Sequence, residues 1–160
     1  YFLTSHVLNL KSHPTMTNKL IQKERIVPFS LTESWSKWTT HEGLKTFFGR
    51  DNKIELEIGG NFEIYFLMDN PVGLRGSETC KILSFLPREM LSFSWNAPPH
   101  FESIRNSGDK TWVVVQFLPI AENQTKIKLS HIGWPEGDDW ELVYNYFDKA
   151  WNMVLEGMEI

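Results

Sequence analysis

The chain has 160 residues, of which 41% are hydrophobic, and 16 basic against 20 acidic side chains give a net charge of −4. This length suits one domain with its own core, and the acidic balance argues against a nucleic-acid partner or an anionic membrane surface. No apolar run approaches the ~20 residues of a membrane span, and the single cysteine, Cys80, excludes an intrachain disulfide and indicates a reducing, cytoplasmic location.

The first fifteen residues do not resemble a targeting signal. They begin with Tyr1 and mix apolar side chains with histidine, asparagine and lysine. This mixture is too interrupted for the apolar region of a signal peptide. Met16 could be the natural start, so residues 1–15 are interpreted as an N-terminal extension or a cloning remnant, and residues 16–160 as a single domain.

One strand and two short helices are predicted next. Residues 19–27 alternate apolar and polar side chains, although imperfectly, and a proline ends this strand. Residues 30–33 match the S-x-x-E capping box, which predicts a helix that runs to about Trp38. A second short helix is predicted over residues 41–48, where a glycine ends it.

Six further strands are predicted in the middle of the chain. They cover residues 53–58, 61–68, 76–86, 91–96, 111–118 and 126–132. Because most of the intervening turns are short, the strands are expected to pair antiparallel. In the last strand the period-two alternation places Ile127, Leu129 and His131 on the face toward the interior. Residues 98–109 are expected to form a loop.

The C-terminal helix has the clearest pattern. Acidic side chains at residues 138–141 are suited to cap its N-terminus and to complement its dipole. Apolar side chains then recur at three- and four-residue steps and form one stripe: Trp140, Val143, Tyr144, Phe147, Trp151, Val154, Leu155 and Met158. A stripe ~30 Å long needs a broad apolar surface, for which the sheet is the candidate. The order of elements predicts an α+β domain, with six or seven antiparallel strands around this helix.

Several segments resemble a known family in their order and spacing. They are WSKWTTHEGL (35–44), GGNF (59–62), LSFSW (91–95), HIGW (131–134) and YNYFDKAW (144–151). Over about residues 19–159 the chain is similar to the family of the activator of heat-shock-protein-ninety ATPase. That family belongs to the SRPBCC superfamily, which includes START and birch-pollen-allergen domains. The resemblance implies a helix-grip fold, in which a curved sheet wraps around the C-terminal helix and leaves a hydrophobic cavity beneath it. Function does not follow from the fold, because superfamily members include lipid carriers, receptors, cyclases and co-chaperones.

Aromatic side chains are more numerous than a core of this size needs. Seven of the 160 residues are Trp, which indicates a pocket for a flat apolar molecule. The candidate lining residues are Phe47, Phe62, Phe66, Trp95, His131, Trp134, Tyr144, Phe147 and Trp151. Ordinary core packing is the alternative interpretation of the same rings.

His131 is the candidate acid–base group, because the pKa of a histidine lies near working pH. Catalysis needs a second polar group beside it, for which Tyr65 or Tyr144 is the candidate. The alternative is a buried histidine that supports the following loop. Cys80 is interpreted as an inert buried thiol.

The remaining charged residues favour structural roles. The acidic cluster of residues 136–141 is better explained by helix capping than by metal binding. No metal-ligand spacing such as C-x-x-C or H-E-x-x-H occurs, so neither a metal nor a cofactor is expected. Arg75 and Arg105 are expected to be solvated, with contact to an acidic ligand as the alternative.

The outer face of the sheet carries an apolar strip. Trp112 and Val114 lie on it if their neighbours in residues 111–118 face inward, which indicates a homodimer contact or another partner. Cover by residues 1–15 is the alternative. Three functions remain open: non-enzymatic binding of a small hydrophobic or aromatic ligand, a cyclase or dehydratase that uses His131, and a co-chaperone-like regulator of a chaperone ATPase. Ligand binding is preferred, because no catalytic set is recognisable.

Overall fold

The computed structural model describes residues 14–159 of the chain. This part contains seven strands and four α-helices. The strands are β1 (Ile21–Val27), β2 (Asp51–Ile54), β3 (Phe62–Tyr65), β4 (Ile82–Leu86), β5 (Met90–Trp95), β6 (Thr111–Ala121) and β7 (Gln124–Ile132). The helices are α1 (Leu31–Thr39), α2 (His41–Lys45), α3 (Glu102–Ser107) and α4 (Asp138–Glu156), and a 3₁₀ turn, Gly157–Glu159, follows α4. This order confirms the predicted α+β class and the two short helices after the first strand.

The strands pair antiparallel throughout. Five of them form one sheet in the order β1-β7-β6-β5-β4, and β2 pairs with β3. The chain segment before β4 joins the two sets. The Phe62 N–H donates to the carbonyl of Cys80 at 3.0 Å, and the Ser77 N–H donates to the carbonyl of Ile64 at 2.9 Å. The seven strands therefore form a nearly continuous layer with one inner face, as the helix-grip prediction requires.

The inner face of the sheet is apolar and buried. On β6 the side chains of Val113, Val115 and Phe117 are at most 4% exposed, whereas Trp112 is 40% exposed on the outer face. On β7 the inward residues are Ile127, Leu129 and His131, and none of them is exposed to solvent. The predicted period-two alternation of both strands is confirmed.

Helix α4 lies against this inner face through its predicted stripe. Its buried side chains are Trp140, Val143, Phe147, Trp151 and Leu155. Ion pairs add contacts between β1 and the end of the chain: Lys23 Nζ lies 2.9 Å from Asp148 Oδ1, and Arg25 Nε lies 2.7 Å from Glu159 Oε1. Exposed pairs of this kind contribute at most about 1 kcal/mol each, so burial of the stripe dominates the attachment of α4.

The chain between β3 and β4 departs from its prediction. Strand β3 ends at Tyr65, because the N–H groups of Phe66 and Leu67 both donate to the carbonyl of Arg75 and turn the chain. Phe66 is consequently 52% exposed and does not continue the buried face. Strand β4 begins only at Ile82, so Cys80 lies before the strand, although its side chain is fully buried as expected.

The N-terminal cap of α1 agrees with its prediction, whereas that of α4 does not. The Ser30 hydroxyl accepts from the Glu33 N–H at 3.1 Å, which confirms the cap of α1. The predicted cap by Asp138 is wrong: Gly137 occupies the N-cap position of α4, and no side chain caps it. Asp139 instead accepts from Ser103 of α3, a helix that the predicted loop concealed, at 2.8 Å.

Within residues 14–159, none of the helices combines the length and the apolar character that crossing a bilayer requires.

Candidate ligand cavity

A cavity of about 420 Å³ lies beneath α4. Its inner wall consists of buried rings from three elements: Phe48 after α2, Trp95 at the end of β5, and Phe147 and Trp151 on α4. Residues 47, 66–67, 75–77, 96, 98–100, 146, 150 and 153–154 complete the lining. The mouth is rimmed by exposed side chains, including Phe66, which is 52% exposed. The cavity is therefore closed by aromatic rings inside and open to solvent at one side.

The predicted lining residues divide into two groups. Phe47, Phe66, Trp95, Phe147 and Trp151 do line the cavity. The other four, Phe62, His131, Trp134 and Tyr144, are not part of its lining. Phe62 stacks on Phe93 with 4.0 Å between ring centroids, and Trp134 packs edge-on against Tyr144. For these two rings the alternative of core packing describes the structure.

Two further aromatic rings line the cavity beside predicted ones. Phe48 follows Phe47, and Tyr146 precedes Phe147. The helix predicted over residues 41–48 ends at Lys45, and the chain then turns, with the N–H groups of Phe47, Phe48 and Gly49 all donating to the carbonyl of Leu44. The turn brings two successive rings to the same cavity, which helical periodicity does not predict.

His131 is buried in a complete hydrogen-bond network. The Trp151 indole Nε1–H donates to its Nδ1 at 2.9 Å, so the ring proton of the neutral tautomer belongs on Nε2. Nε2 lies 2.5 Å from the Thr111 hydroxyl oxygen, to which it donates in this tautomer. The Trp134 indole N–H donates to the His131 backbone carbonyl at 2.9 Å. Burial lowers the pKa of His131 well below its ordinary value, so the ring is neutral at working pH.

The two tyrosines that were considered as partners of His131 bind elsewhere. The Tyr144 hydroxyl donates to the carbonyl of Leu20 at 3.2 Å. The Tyr65 hydroxyl donates to a carboxylate oxygen of Glu63 at 2.9 Å, and burial together with this bond raises the pKa of Tyr65 to about 12. Neither hydroxyl is hydrogen-bonded to His131, and none of the three groups reaches the cavity lining.

Trp95 contrasts with His131, because its polar atom lacks a partner. The side chain is 4% exposed, and its Nε1 has no hydrogen-bond acceptor within residues 14–159. Its ring lies 5.5 Å from the ring of Trp151 and 5.6 Å from that of Phe48, measured between centroids. An unpaired buried donor costs about 1–3 kcal/mol and requires an explanation in a native structure.

A buried ion pair fixes one wall of the cavity. Arg105 is buried, contrary to the prediction that it is solvated: its Nη2 donates to Glu78 Oε2 at 2.9 Å, and its Nη1 donates to the carbonyls of Gly76 and Ala97. Burial favours a higher pKa for Glu78, but the N–H groups of Arg75 and Gly76 and the Arg105 charge outweigh it and lower that pKa. The pair links the segment before β4 to α3, 27 residues along the chain.

Cys80 lies outside the cavity lining. Its thiol is fully buried, and burial raises its pKa to about 12. The thiolate is the reactive form of cysteine, so this residue fits the predicted inert role.

The antiparallel layer, the long helix that it holds and the cavity between them define a helix-grip protein of the SRPBCC type. The sequence model of one family, described as "Activator of Hsp90 ATPase homolog 1-like protein", matches residues 29–160. The chain belongs to this family, and the resemblance of its motifs is confirmed.

Solved structures from several organisms share this fold. A Mesorhizobium loti protein superposes with a TM-score of 0.68 at 17% identity, covering 88% of this chain and 93% of that one. A Plasmodium falciparum protein described as an HSP90 activator gives 0.65 at 17% identity, covering 87% and 92%. The Aha1 dimer of Colwellia psychrerythraea gives 0.62 at 19% identity, covering 88% and 93%. At such identities the likeness shows the fold alone. Among curated proteins, none matches the sequence significantly.

Proposed function

We propose that the protein is a non-enzymatic, cytoplasmic binding module that holds a small hydrophobic or aromatic molecule in the cavity beneath α4. The observation that carries this proposal is the cavity itself. Its volume of about 420 Å³ falls within the ~300–1,000 Å³ of typical small-molecule sites. Four buried rings, Phe48, Trp95, Phe147 and Trp151, supply flat apolar walls.

The arrangement of polar groups favours binding over catalysis. His131 was the candidate acid–base residue, but it is neutral, saturated with hydrogen bonds and outside the cavity lining. General acid–base catalysis requires a group within reach of the substrate and with a pKa near the working pH. Neither condition holds for His131, and the cyclase or dehydratase alternative loses the residue on which it was built.

A neutral fluorescent probe tests the proposal. We expect N-phenyl-1-naphthylamine to bind, to increase its emission and to raise the melting temperature of the wild-type protein, because a ligand that binds only the folded state stabilises it. Ala150 lies in the lining on α4, so A150F places a ring in the space that the probe needs. This variant is expected to keep the fold and to lose the probe signal, measured by fluorescence titration and thermal shift.

The matched control is Asn145→Phe. Asn145 is an exposed residue of α4 outside the cavity lining, so the same ring is added away from the cavity. This variant should bind the probe as the wild type does. Equal loss of binding in both variants, or no binding to the wild type, contradicts the proposal.

A second candidate is regulation of a chaperone ATPase, and family membership is the observation that favours it. The interacting surface proposed for this role is the outer sheet face, where Trp112 is 40% exposed and Val114 is half-buried. A second copy of the chain could use the same surface as a homodimer contact. A chaperone ATPase that responds equally to the wild type and to A150F would support this candidate in place of ligand binding.

A further inference from the structure

We propose that the ligand is an amphipathic monocarboxylic acid, whose carboxylate pairs with Arg75 while its apolar body lies among the rings beneath α4. This inference rests on the proposed binding function and specifies the chemical class of the ligand. Arg75 carries the one fixed charge among the residues that line the cavity, and none of those residues is acidic. A single cation in an aromatic lining predicts a ligand with one negative charge.

The backbone around Arg75 is held in place before any ligand arrives. Its N–H donates to Glu78 Oε1 at 2.6 Å, and its carbonyl accepts the N–H groups of Phe66 and Leu67. Its Nε donates to the carbonyl of Asn70 at 2.8 Å. These four bonds fix the residue at the cavity wall, so a ligand would not have to order the loop in order to use it.

The terminal nitrogens of Arg75 are left without a partner. Within residues 14–159, no hydrogen bond or ion pair engages Nη1 or Nη2, whereas Nε is bound. The neighbouring carboxylate, Glu78, is already occupied by Arg105 and by the N–H groups of Gly73, Arg75 and Gly76. Arg75 is half-buried, and its two terminal nitrogens keep their N–H groups free for a carboxylate, whose geometry matches the guanidinium fork.

Helix α4 contributes mainly apolar side chains to the lining, and most of the polar lining residues come from other segments. Arg75 and Ser77 come from the segment before β4, and Asn96 follows β5, whereas the rings of Phe147 and Trp151 come from α4. A molecule with one acidic end and an apolar body fits this division. A dianionic phosphate fits less well, because one guanidinium would leave half of its charge unpaired in an apolar site.

Matched pairs of acid and amide test the inference near neutral pH and at low ionic strength. One pair is 1-naphthylacetate with 1-naphthylacetamide, and the other is dodecanoate with dodecanamide. Affinity is measured by displacement of N-phenyl-1-naphthylamine. In the wild type at least one acid should bind about tenfold or more tightly than its amide. In R75Q this ratio should fall to about one, while affinity for the neutral probe stays unchanged and shows that the cavity is intact.

Two further variants separate charge, geometry and location. R75K keeps the charge but lacks the fork, so we expect it to keep part of the preference for acid. Arg50→Gln removes the same charge from an exposed residue outside the cavity lining and should leave the wild-type ratio unchanged.

The possible failures are distinguishable. Equal affinity for acid and amide, an unchanged ratio in R75Q, or binding of the neutral probe without any acid overturns the acid inference and leaves the binding function standing. No binding of the neutral probe or of either pair overturns both.

Discussion

Two aromatic groups meet at Trp151, and they differ in how their polar atoms are used. On one side, the histidine cluster (Thr111, His131, Trp134 and Trp151) pairs both indole N–H groups and both imidazole nitrogens. On the other side, the cavity cluster (Phe48, Trp95, Phe147 and Trp151) borders open space and leaves the Nε1 of Trp95 unpaired. Both groups consist largely of buried rings, so burial alone does not distinguish packing from lining.

Satisfaction of polar groups does distinguish them. A native core pairs its buried donors and acceptors, because each one left unpaired costs about 1–3 kcal/mol. The histidine cluster meets this requirement by itself and needs no ligand. The cavity cluster does not meet it, because the Nε1 of Trp95 is buried without an acceptor within residues 14–159.

The largest expected effect is the loss of His131 from the histidine cluster. H131L removes the acceptor of the Trp151 N–H and the partner of the Thr111 hydroxyl, so the free energy of unfolding should fall by about 3 kcal/mol. H131N retains an acceptor near the Nδ1 position and should lose roughly half as much. Urea denaturation measures both values. Equal stability of the wild type and H131L would show that the network contributes little.

Lowering the pH should reduce the free energy of unfolding through His131, by less than the H131L substitution does. Burial lowers the pKa of His131 in the folded state, whereas the unfolded chain has the ordinary value of about 6.5. Below about pH 6.5 the unfolded state binds more protons than the folded state. The contribution of neutral His131 to the free energy of unfolding is therefore fully present above this pH and falls by up to about 1.4 kcal/mol per pH unit below it.

The control for this pH effect is H131N, which cannot titrate at this position. Carboxylates with a lowered pKa, such as Glu78, destabilise both proteins alike in acid. The difference in unfolding free energy between the wild type and H131N, measured from about pH 5 to about pH 7.5, should therefore isolate the histidine. Parallel pH profiles would exclude His131 as the titrating group.

The smallest expected effect is a difference in the free energy of unfolding between W151F and W95F, which compares the two clusters directly. W151F and W95F each replace an indole by a smaller ring, so the loss of volume is similar. W151F also removes the donor to His131 Nδ1, whereas W95F removes a donor that has no partner. W151F should therefore cost about 1 kcal/mol more than W95F in the free energy of unfolding. A larger cost for W95F would mean that its N–H is paired in the folded protein.

Local periodicity explains which parts of the fold could be predicted. The α4 stripe and the alternation on β6 and β7 follow from spacing within one element, and they are confirmed. The segment before β4 could not be predicted, because the bond between Glu78 and Arg105 joins residues that are distant in sequence. Helix α3 escaped because it has only six residues and lies in a loop that begins with two prolines.

The cavity could be predicted only in part, for a similar physical reason. Composition indicated surplus rings, and five of the nine named residues do line the space. Whether a buried ring faces a void or a neighbour depends on packing between elements. Phe62 and Phe93, for example, stack on each other from different strands. Residues 1–13 lie outside the described part of the chain, so the interpretation of the N-terminal extension stays a prediction.

The hydrogen bond from Trp151 to His131 has a consequence for the thermodynamics of binding. Trp151 belongs to both clusters, and its bond to a neutral, fully buried imidazole holds the indole in one rotamer. A side chain that is already immobile loses no further conformational entropy when a ligand contacts it, whereas ordering a mobile one costs about 0.5–1.5 kcal/mol. The histidine network therefore presents a rigid wall to whatever enters the cavity.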